Sequence, residues 1–245
     1  MATQERLSIL VPVYNEAGTV TAVLDRLLAI DLPIPREILV VDDGSTDGTG
    51  GALDLFGERG DTLRIIHAPR NAGKGAAIRR GLDEARGTII AIQDADLELD
   101  PAQLADLVAP ILAGQTRVVY GSRFMAGHPP APWLTIAANR TLTTVTNLLF
   151  WSRITDMETC YKIMRTEVAH SLGLESNRFD IEPEITAKLL LAGHRIVERP
   201  IVFEPRNHSQ GKKIGWRDGI RALRVLVGYR FCGWRPASAP EPPAR

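Results

Sequence analysis

Short apolar runs alternate with amphipathic stretches over the first hundred residues of the chain. The apolar runs, rich in Val, Ile and Leu, predict strands at 7–13, 37–41, 63–67 and 88–93. The amphipathic stretches predict helices at 17–29, 47–56 and 74–86. This alternation indicates an α/β fold with a Rossmann-like, predominantly parallel sheet and helices on both faces. In such a sheet we expect the chemistry at the carboxyl ends of the strands.

The pattern becomes more helical after residue 100. It predicts helices at 101–113, 134–151 and 183–192, and strands at 117–120 and near 161–164. A further amphipathic helix is predicted at 216–235, where Arg217, Arg221 and Arg224 lie beside an apolar stripe. The stripe consists of Ile220, Leu223, Val227, Phe231 and Trp234. The segment 236–245 is rich in Pro and predicts a disordered tail.

The amino-acid composition limits the possible binding partners and the cellular compartment of the protein. Lys and Arg total 29, as do Asp and Glu, so no net charge attracts the chain to nucleic acid. Cys160 and Cys232 lie far apart, which favours a reducing, cytoplasmic compartment and argues against a thiolate zinc site. The polar start does not resemble a signal peptide, and no apolar run reaches the roughly 20 residues that span a bilayer. We therefore expect any membrane contact to be peripheral.

A polar motif at 11–16 follows the first predicted strand. Tyr14 is a residue type that stacks on a base, and Glu16 lies at the entry of a helix. Asn15 as a helix cap explains the motif equally well.

A second polar motif, at 41–48, follows the second predicted strand. Its glycines permit a tight turn, and Asp47 is suited to cap the next helix. A calcium loop counted from Asp42 is excluded because Leu53 stands where a Glu is needed, and the glycines do not fit a dinucleotide motif. A nucleoside-binding acid is the better interpretation of the two carboxylates.

Two further motifs suggest phosphate chemistry. At 70–75, glycines surround Lys74 at a predicted helix start, which is typical of a phosphate cradle or simply of a helix entry. Asp94, Asp96 and Glu98 come directly after an apolar strand. Carboxylates spaced by two at a strand end can converge on a hard cation, which bridges them to phosphate oxygens and stabilises a diphosphate leaving group.

Five motifs occur in one order along the chain: PVYNE, VVDDGSTDGT, NAGKG, DADLE and GSRF. This ordered set resembles the inverting GT-A glycosyltransferases of family 2 over nearly the whole chain. The later blocks TDMETCYK, 179–188 and GKKIG are similar to those of polyprenyl-phosphate hexose synthases, the group of dolichyl-phosphate mannosyltransferase. The resemblance implies transfer of a hexose from GDP-mannose or UDP-glucose to a polyprenyl phosphate, with a sugar or protein hydroxyl as the alternative acceptor.

The resemblance also implies how the chain is divided. A GT-A domain is expected over 1–215, with a donor half at about 1–122 and an acceptor half at about 123–215. The amphipathic helix and the tail follow this domain.

The resemblance assigns roles on the donor side residue by residue. The nucleoside positions are Pro12, Tyr14, Glu16, Val41 and Asp43, and the diphosphate-sugar positions are Asp94, Ala95 and Asp96. Asp96 and Glu98 match the ligands of Mg²⁺ or Mn²⁺, although Glu98 replaces the Gln or Ser that is common there. We add Lys74 to the nucleotide-sugar set because of its phosphate cradle, and we expect Asp94, Asp96 and Arg123 to be catalytic.

The expected acceptor chemistry depends on charge. A phosphate monoester, with a second pKa near roughly 6, is already anionic at neutral pH and needs no general base. It needs cationic donors, and the positions that the resemblance assigns to phosphate binding are Arg123, Arg140, Arg206 and Lys213. Asp156 is the candidate base for a hydroxyl acceptor.

A lipid tail requires an apolar surface. The helix at 216–235 has the pattern of an interfacial helix, and the segment 132–151 is a second apolar source. Either surface can instead pack on the domain or on a second copy in a homodimer. With a lipid acceptor, we expect the protein at the cytoplasmic face of the membrane.

Overall fold

The computed structural model describes residues 4–127, 129–205 and 216–234. Its strands are β1 (Leu7–Val13), β2 (Arg36–Asp42), β3 (Leu63–His67), β4 (Ile89–Ile92), β5 (Val118–Ser122), β6 (Lys162–Arg165) and β7 (Ile196–Pro200). Its α-helices are α1 (Val20–Ala29), α2 (Thr49–Phe56), α3 (Lys74–Glu84), α4 (Leu104–Leu112), α5 (Trp133–Phe150), α6 (Thr166–Ser171), α7 (Ile181–Leu191) and α8 (Trp216–Cys232). A 3₁₀ turn at Pro101–Gln103 precedes α4.

The strands form one sheet in the order β3-β2-β1-β4-β6-β5-β7. The first four strands pair in parallel, as the sequence predicted, and β5 pairs in parallel with β7. β6 runs antiparallel to both β4 and β5. Because of this reversal, β6 begins at the same edge at which β1, β2, β4 and β5 end. The segment 151–161 before β6 is therefore delivered to that edge.

The apolar strands are explained by burial on both faces of the sheet. In β1, Leu7, Ile9 and Val11 pack with residues of α1 and α4, whereas Leu10 packs on the opposite face with residues of α3 and α7. Successive side chains of a strand point to opposite faces, so a strand covered on both sides needs apolar residues throughout. For this reason the strands in the first half of the fold can be predicted from the sequence.

Two short elements were not predicted. α6 has six residues and β7 has five, and β7 is a half-exposed strand at the edge of the sheet. An edge strand packs against only one neighbour, so its sequence lacks the apolar run that marks the central strands.

α8 packs against α5 and α7 and presents a second face to solvent. Leu226 is fully buried on the packed face. Four of the five stripe residues are exposed, Ile220, Leu223, Val227 and Phe231, with Phe231 74% exposed. The fifth, Trp234, is half-buried against Lys188. It lies beyond Cys232, where α8 ends, so it is not part of the helical stripe that the sequence predicted. Among the described helices, none has both the length and the apolar composition required to cross a bilayer.

A buried ion pair anchors α8 to the domain. Lys188 and Glu184 of α7 are both fully buried, with 2.6 Å between Nζ and Oε1. The hydroxyl of Tyr229 in α8 donates to Glu184 at 3.0 Å, and the ring of Tyr229 lies 5.1 Å from Lys188 Nζ. Glu184 also accepts the backbone N–H groups of Glu175 and Ser176. One carboxylate thus joins α8 to the loop before α7.

That loop in turn packs on the start of α3. Asn177 O accepts the N–H of Ala76 at 3.1 Å. A Cβ atom on Gly75 would overlap Ser176 O and lie 2.9 Å from the Ser176 carbonyl carbon. The backbones can approach this closely only because residue 75 has no side chain.

We predict that Gly75→Ala lowers the free energy of unfolding by about 2 kcal/mol, because the added methyl group overpacks this contact. Urea unfolding of the variant measures the change.

Gly51→Ala is the matched control, since Gly51 lies inside α2 with open space around its Cβ position. Alanine there should leave stability unchanged or raise it by up to about 1 kcal/mol. Equal effects of the two substitutions would contradict the proposed contact.

Candidate functional site

The loops after β1 and β2 are bound to each other at the carboxyl edge of the sheet. The N–H of Asn15 donates to Ser45 Oγ at 3.0 Å, and Asn15 Oδ1 accepts the N–H of Thr46 at 2.8 Å. The N–H of Glu16 donates to Thr49 Oγ1 at 2.8 Å. Asn15 is therefore not the cap of α1, which begins later, at Val20. It joins two loops that carry predicted nucleoside residues.

The predicted nucleoside positions differ in exposure. Val41 is buried in β2, whereas Pro12, Tyr14 and Glu16 are half-buried at the edge. The buried Asp43 accepts the N–H groups of the loop before α3, from Ala72 at 2.9 Å and from Gly73 at 2.6 Å. Asp43 thus holds the phosphate-cradle segment in place.

Lys74 is the centre of a buried charge network. Its Nζ lies 2.9 Å from Asp94 Oδ1 and 2.9 Å from Glu182 Oε1 of α7. Burial alone would lower the pKa of Lys74, but the charges of Asp94 and Glu182 outweigh it and raise the pKa well above its usual value. Burial opposes ionisation of Asp94, yet Lys74 lowers the pKa of that carboxyl. Both groups are therefore charged at neutral pH.

The acidic loop after β4 contains a left-handed residue between its last two carboxylates. Leu97 has φ = 61°, a conformation that non-glycine residues seldom adopt. Ala95 is buried, while Asp94, Asp96 and Glu98 are half-buried. Asp96 Oδ1 accepts the backbone N–H of Glu98 at 3.2 Å, so the carboxylate of Asp96 is bound to the main chain of the other predicted metal ligand. Within the described part of the chain, no three His, Cys, Asp or Glu side chains form a complete metal site.

Arg123, which follows β5, is held in place by Asp156. Its Nε and Nη2 donate to the two oxygens of Asp156, both at 2.7 Å, and its backbone N–H donates to Oδ2 at 3.1 Å. Asp156 is fully buried and sits above Glu198 of β7, which accepts its N–H at 3.1 Å. Burial alone would lower the pKa of Arg123, but Asp156 raises it. The arginine is fixed in position and permanently charged.

Of the other three predicted phosphate ligands, the structure describes only Arg140. Arg140 of α5 stacks on Phe124, the neighbour of Arg123, with 5.4 Å from Cζ to the ring centroid. The structure therefore brings Arg140 to the same corner as Arg123. Arg206 and Lys213 lie outside the described residues.

The sequence did not identify several charged groups of the network. Lys162 of β6 is fully buried, with its Nζ 2.5 Å from Glu182 Oε2 and 2.6 Å from Thr159 O. Glu182 thus bridges Lys74 and Lys162. The available signal was the presence of these residues within the TDMETCYK and 179–188 blocks, but pairing across 20 residues or more is set by the fold.

Comparison with known proteins places the chain among glycosyltransferases. Residues 8–173 match the sequence model of a family described as "Glycosyl transferase family 2". The polyprenol monophosphomannose synthase of Mycolicibacterium smegmatis is 30% identical over 86% of this chain and 82% of that protein. The undecaprenyl-phosphate mannosyltransferase of Micrococcus luteus is 28% identical over 90% and 92%. The dodecaprenyl-phosphate galacturonate synthase of Rhizobium johnstonii is 30% identical over 92% of this chain and 66% of that protein.

Solved structures share the fold. Glucosyl-3-phosphoglycerate synthase from Mycobacterium tuberculosis, in complex with Mn²⁺, UDP and phosphoglyceric acid, matches with a TM-score of 0.72 at 21% identity, over 96% of this chain and 81% of that chain. The same enzyme with Mn²⁺ and UDP-glucose matches with a TM-score of 0.66 at 20% identity, over 94% and 79%. These matches confirm the predicted GT-A fold.

We predict that Lys74→Met lowers the free energy of unfolding by about 3 kcal/mol, because it leaves the carboxylates of Asp94 and Glu182 without their shared cation. Chemical denaturation measures this loss.

Arg86→Met serves as the comparison, since Arg86 pairs with Asp61 at the surface. An exposed pair of this kind contributes at most about 1 kcal/mol. If Lys74→Met costs no more than Arg86→Met, Lys74 does not hold the network together.

Proposed function

Because the chain belongs to glycosyltransferase family 2, we propose that it transfers a hexose, with inversion, from a nucleotide diphosphate-sugar to a polyprenyl phosphate. The observation that carries this proposal is the meeting of two charged sites at one edge of the sheet. The acidic loop held by Lys74 is suited to the donor, and the corner formed by Arg123 and Arg140 is suited to an anionic acceptor.

On the donor side, the residues after β1 and β2 would hold the nucleoside, and Lys74 with the acidic loop would hold the diphosphate. The carboxylates of Asp96 and Glu98 fit Mg²⁺ or Mn²⁺, which take oxygen ligands and fill their remaining positions with phosphate oxygens and water. Such a cation stabilises the charge that develops on the leaving diphosphate. Asp94, ionised and fixed by Lys74, would orient the sugar.

On the acceptor side, the burial of Asp156 favours a phosphate over a hydroxyl. A general base must reach the proton that it removes, but both oxygens of Asp156 are bound to Arg123 and the side chain is fully buried. A phosphate monoester attacks through an oxygen that is already anionic and needs no base. The names of the mycobacterial and Micrococcus relatives support a polyprenyl phosphate acceptor and favour mannose as the sugar.

The exposed apolar residues of α5 and α8 support a peripheral position on the membrane. We define the interfacial face as the exposed residues Trp133, Leu134, Leu148, Trp151, Ile220, Leu223, Val227 and Phe231. The two helices pack together, and Arg221, Arg224 and Arg230 are exposed beside the apolar residues of α8. Apolar residues flanked by arginines suit an anionic lipid surface. α5 also carries Arg140, so the membrane would lie close to the acceptor corner.

We predict that the protein, supplied with GDP-mannose or UDP-glucose and a divalent cation, forms a sugar-labelled lipid from undecaprenyl phosphate. Asp96→Asn should lower kcat/KM by at least about 100-fold, since it weakens stabilisation of the leaving group. Organic extraction of the radiolabelled product measures the transfer.

Asp25→Asn, an exposed change on α1, should leave the rate unchanged. Transfer to hydroxyl acceptors alone would refute the proposed acceptor, and full activity of Asp96→Asn would refute its role at the donor.

We also predict that replacing Leu223 and Phe231 together by Gln lowers binding to phosphatidylglycerol vesicles at least tenfold. The change removes apolar area worth more than about 1.4 kcal/mol, which corresponds to that factor. Vesicle co-sedimentation measures the binding.

Leu55→Gln is the control, because Leu55 is 90% exposed on α2, outside the interfacial face. Unchanged binding of the double variant would contradict the membrane position. If the wild type is a dimer and the double variant is a monomer, the interfacial face binds a second copy of the chain instead of a membrane.

A further inference from the structure

Glu158 lies in the segment before β6, at the same edge of the sheet as the acidic loop and Arg123. Its side chain is half-buried, and its Oε1 atom is shielded from solvent. Among the residues that the structure describes, no donor forms a hydrogen bond with this oxygen. A buried polar atom without a partner is costly and requires an explanation.

The cations near Glu158 are already bound to other carboxylates. Arg123 is paired with Asp156, and Lys162 is paired with Glu182. These two contacts have distances of 2.7 and 2.5 Å, and neither cation forms an ion pair with Glu158 among the described residues.

Among the described residues, the charged groups near Glu158 carry an excess of negative charge. Glu198 belongs to these groups as well, because it lies against Asp156 and its pKa is raised, chiefly by burial. In the described structure, three cations thus face five carboxylates: Lys74, Lys162 and Arg123 against Asp94, Asp156, Glu158, Glu182 and Glu198. The other four carboxylates accept hydrogen bonds or contact a cation. The surplus charge therefore falls most heavily on Glu158.

The protonation of Glu158 follows from this environment. Burial raises the pKa of Glu158 to about 7. The charges of Glu182 and Asp156 act in the same direction, against those of Lys162 and Arg123. The carboxyl group is thus neutral below about pH 7 and ionised above it.

We propose that Glu158 receives the acceptor phosphate as a neutral carboxylic acid, donating a hydrogen bond from its O–H group to a phosphate oxygen beside Arg123. This inference rests on the proposed function. A phosphate dianion that binds beside Arg123 comes close to Glu158, and an ionised Glu158 repels it because like charges disfavour each other. A neutral carboxyl group removes that repulsion and adds a donor.

The proposal predicts the pH dependence of kcat/KM for the acceptor. The value rises near pH 6 as the phosphate monoester becomes a dianion. It then falls above pH 7, about tenfold per pH unit, as Glu158 loses its proton. Glu158→Gln keeps the rise and loses the fall, because an amide stays neutral and still donates.

Proton uptake on binding tests the same idea without catalysis. At pH 8 the free monoester is a dianion and a carboxyl group of pKa about 7 is about nine-tenths ionised, so binding should take up about one proton. Calorimetry of farnesyl phosphate, a short soluble prenyl phosphate, in buffers of different ionisation enthalpy measures this number. Glu158→Gln should take up almost none.

Glu167→Gln, an exposed change on α6, is the control and should behave as the wild type. Equal proton uptake by wild type and Glu158→Gln would overturn the inference. So would an inactive Glu158→Gln in a protein whose activity rises through pH 7, since Glu158 would then act as a base.

Failure of the proposed function can be distinguished from failure of the inference about Glu158. If the wild type binds farnesyl phosphate but transfers no sugar to any polyprenyl phosphate, the function is wrong and proton uptake still decides the role of Glu158. If the wild type does not bind the phosphate at all, both proposals are overturned.

Discussion

Lys74 joins two carboxylates that come from different parts of the fold, and the position of the acidic loop after β4 depends on that contact. Asp94 follows β4 in the parallel half of the sheet, whereas Glu182 begins α7 in the second half. Attraction between charges is strong at a buried site, but each charge also pays a large desolvation cost. The arrangement is favourable only when all three groups are present. The acidic loop after β4 and α7 are therefore positioned relative to each other by charge as well as by apolar packing.

Glu182 extends this dependence to β6, because it links Lys74 to Lys162. The pair of Arg123 and Asp156 is a separate group of charges at the same edge of the sheet. Charges that lie this close affect one another through space. In the proposed function, the donor and the acceptor would both bind among these charges.

The parallel half of the fold could be predicted from the sequence because β1, β2 and β4 are buried on both faces. Such strands consist almost entirely of apolar residues, which form a recognisable run. The direction of β6 could not be predicted, because a four-residue strand carries no information about which neighbours it joins. The acidic loop was recognisable since its carboxylates are local in sequence. The ion pair of Arg123 with Asp156 spans 33 positions and depends on the reversed β6. That Glu158 Oε1 has no partner among the described residues is likewise visible only in the folded chain.

The anchoring of α8 makes the C-terminal helix part of the folding unit. The hydroxyl of Tyr229 donates to the carboxylate of Glu184. The same carboxylate accepts a backbone N–H of the loop that packs against Gly75. A chain that ended before this helix would expose the fully buried pair of Lys188 and Glu184 and lose the cover of Leu226. In evolutionary terms, the helix cannot be exchanged as an independent module. A replacement would have to restore the aromatic partners of Lys188 before it could acquire a new outer surface.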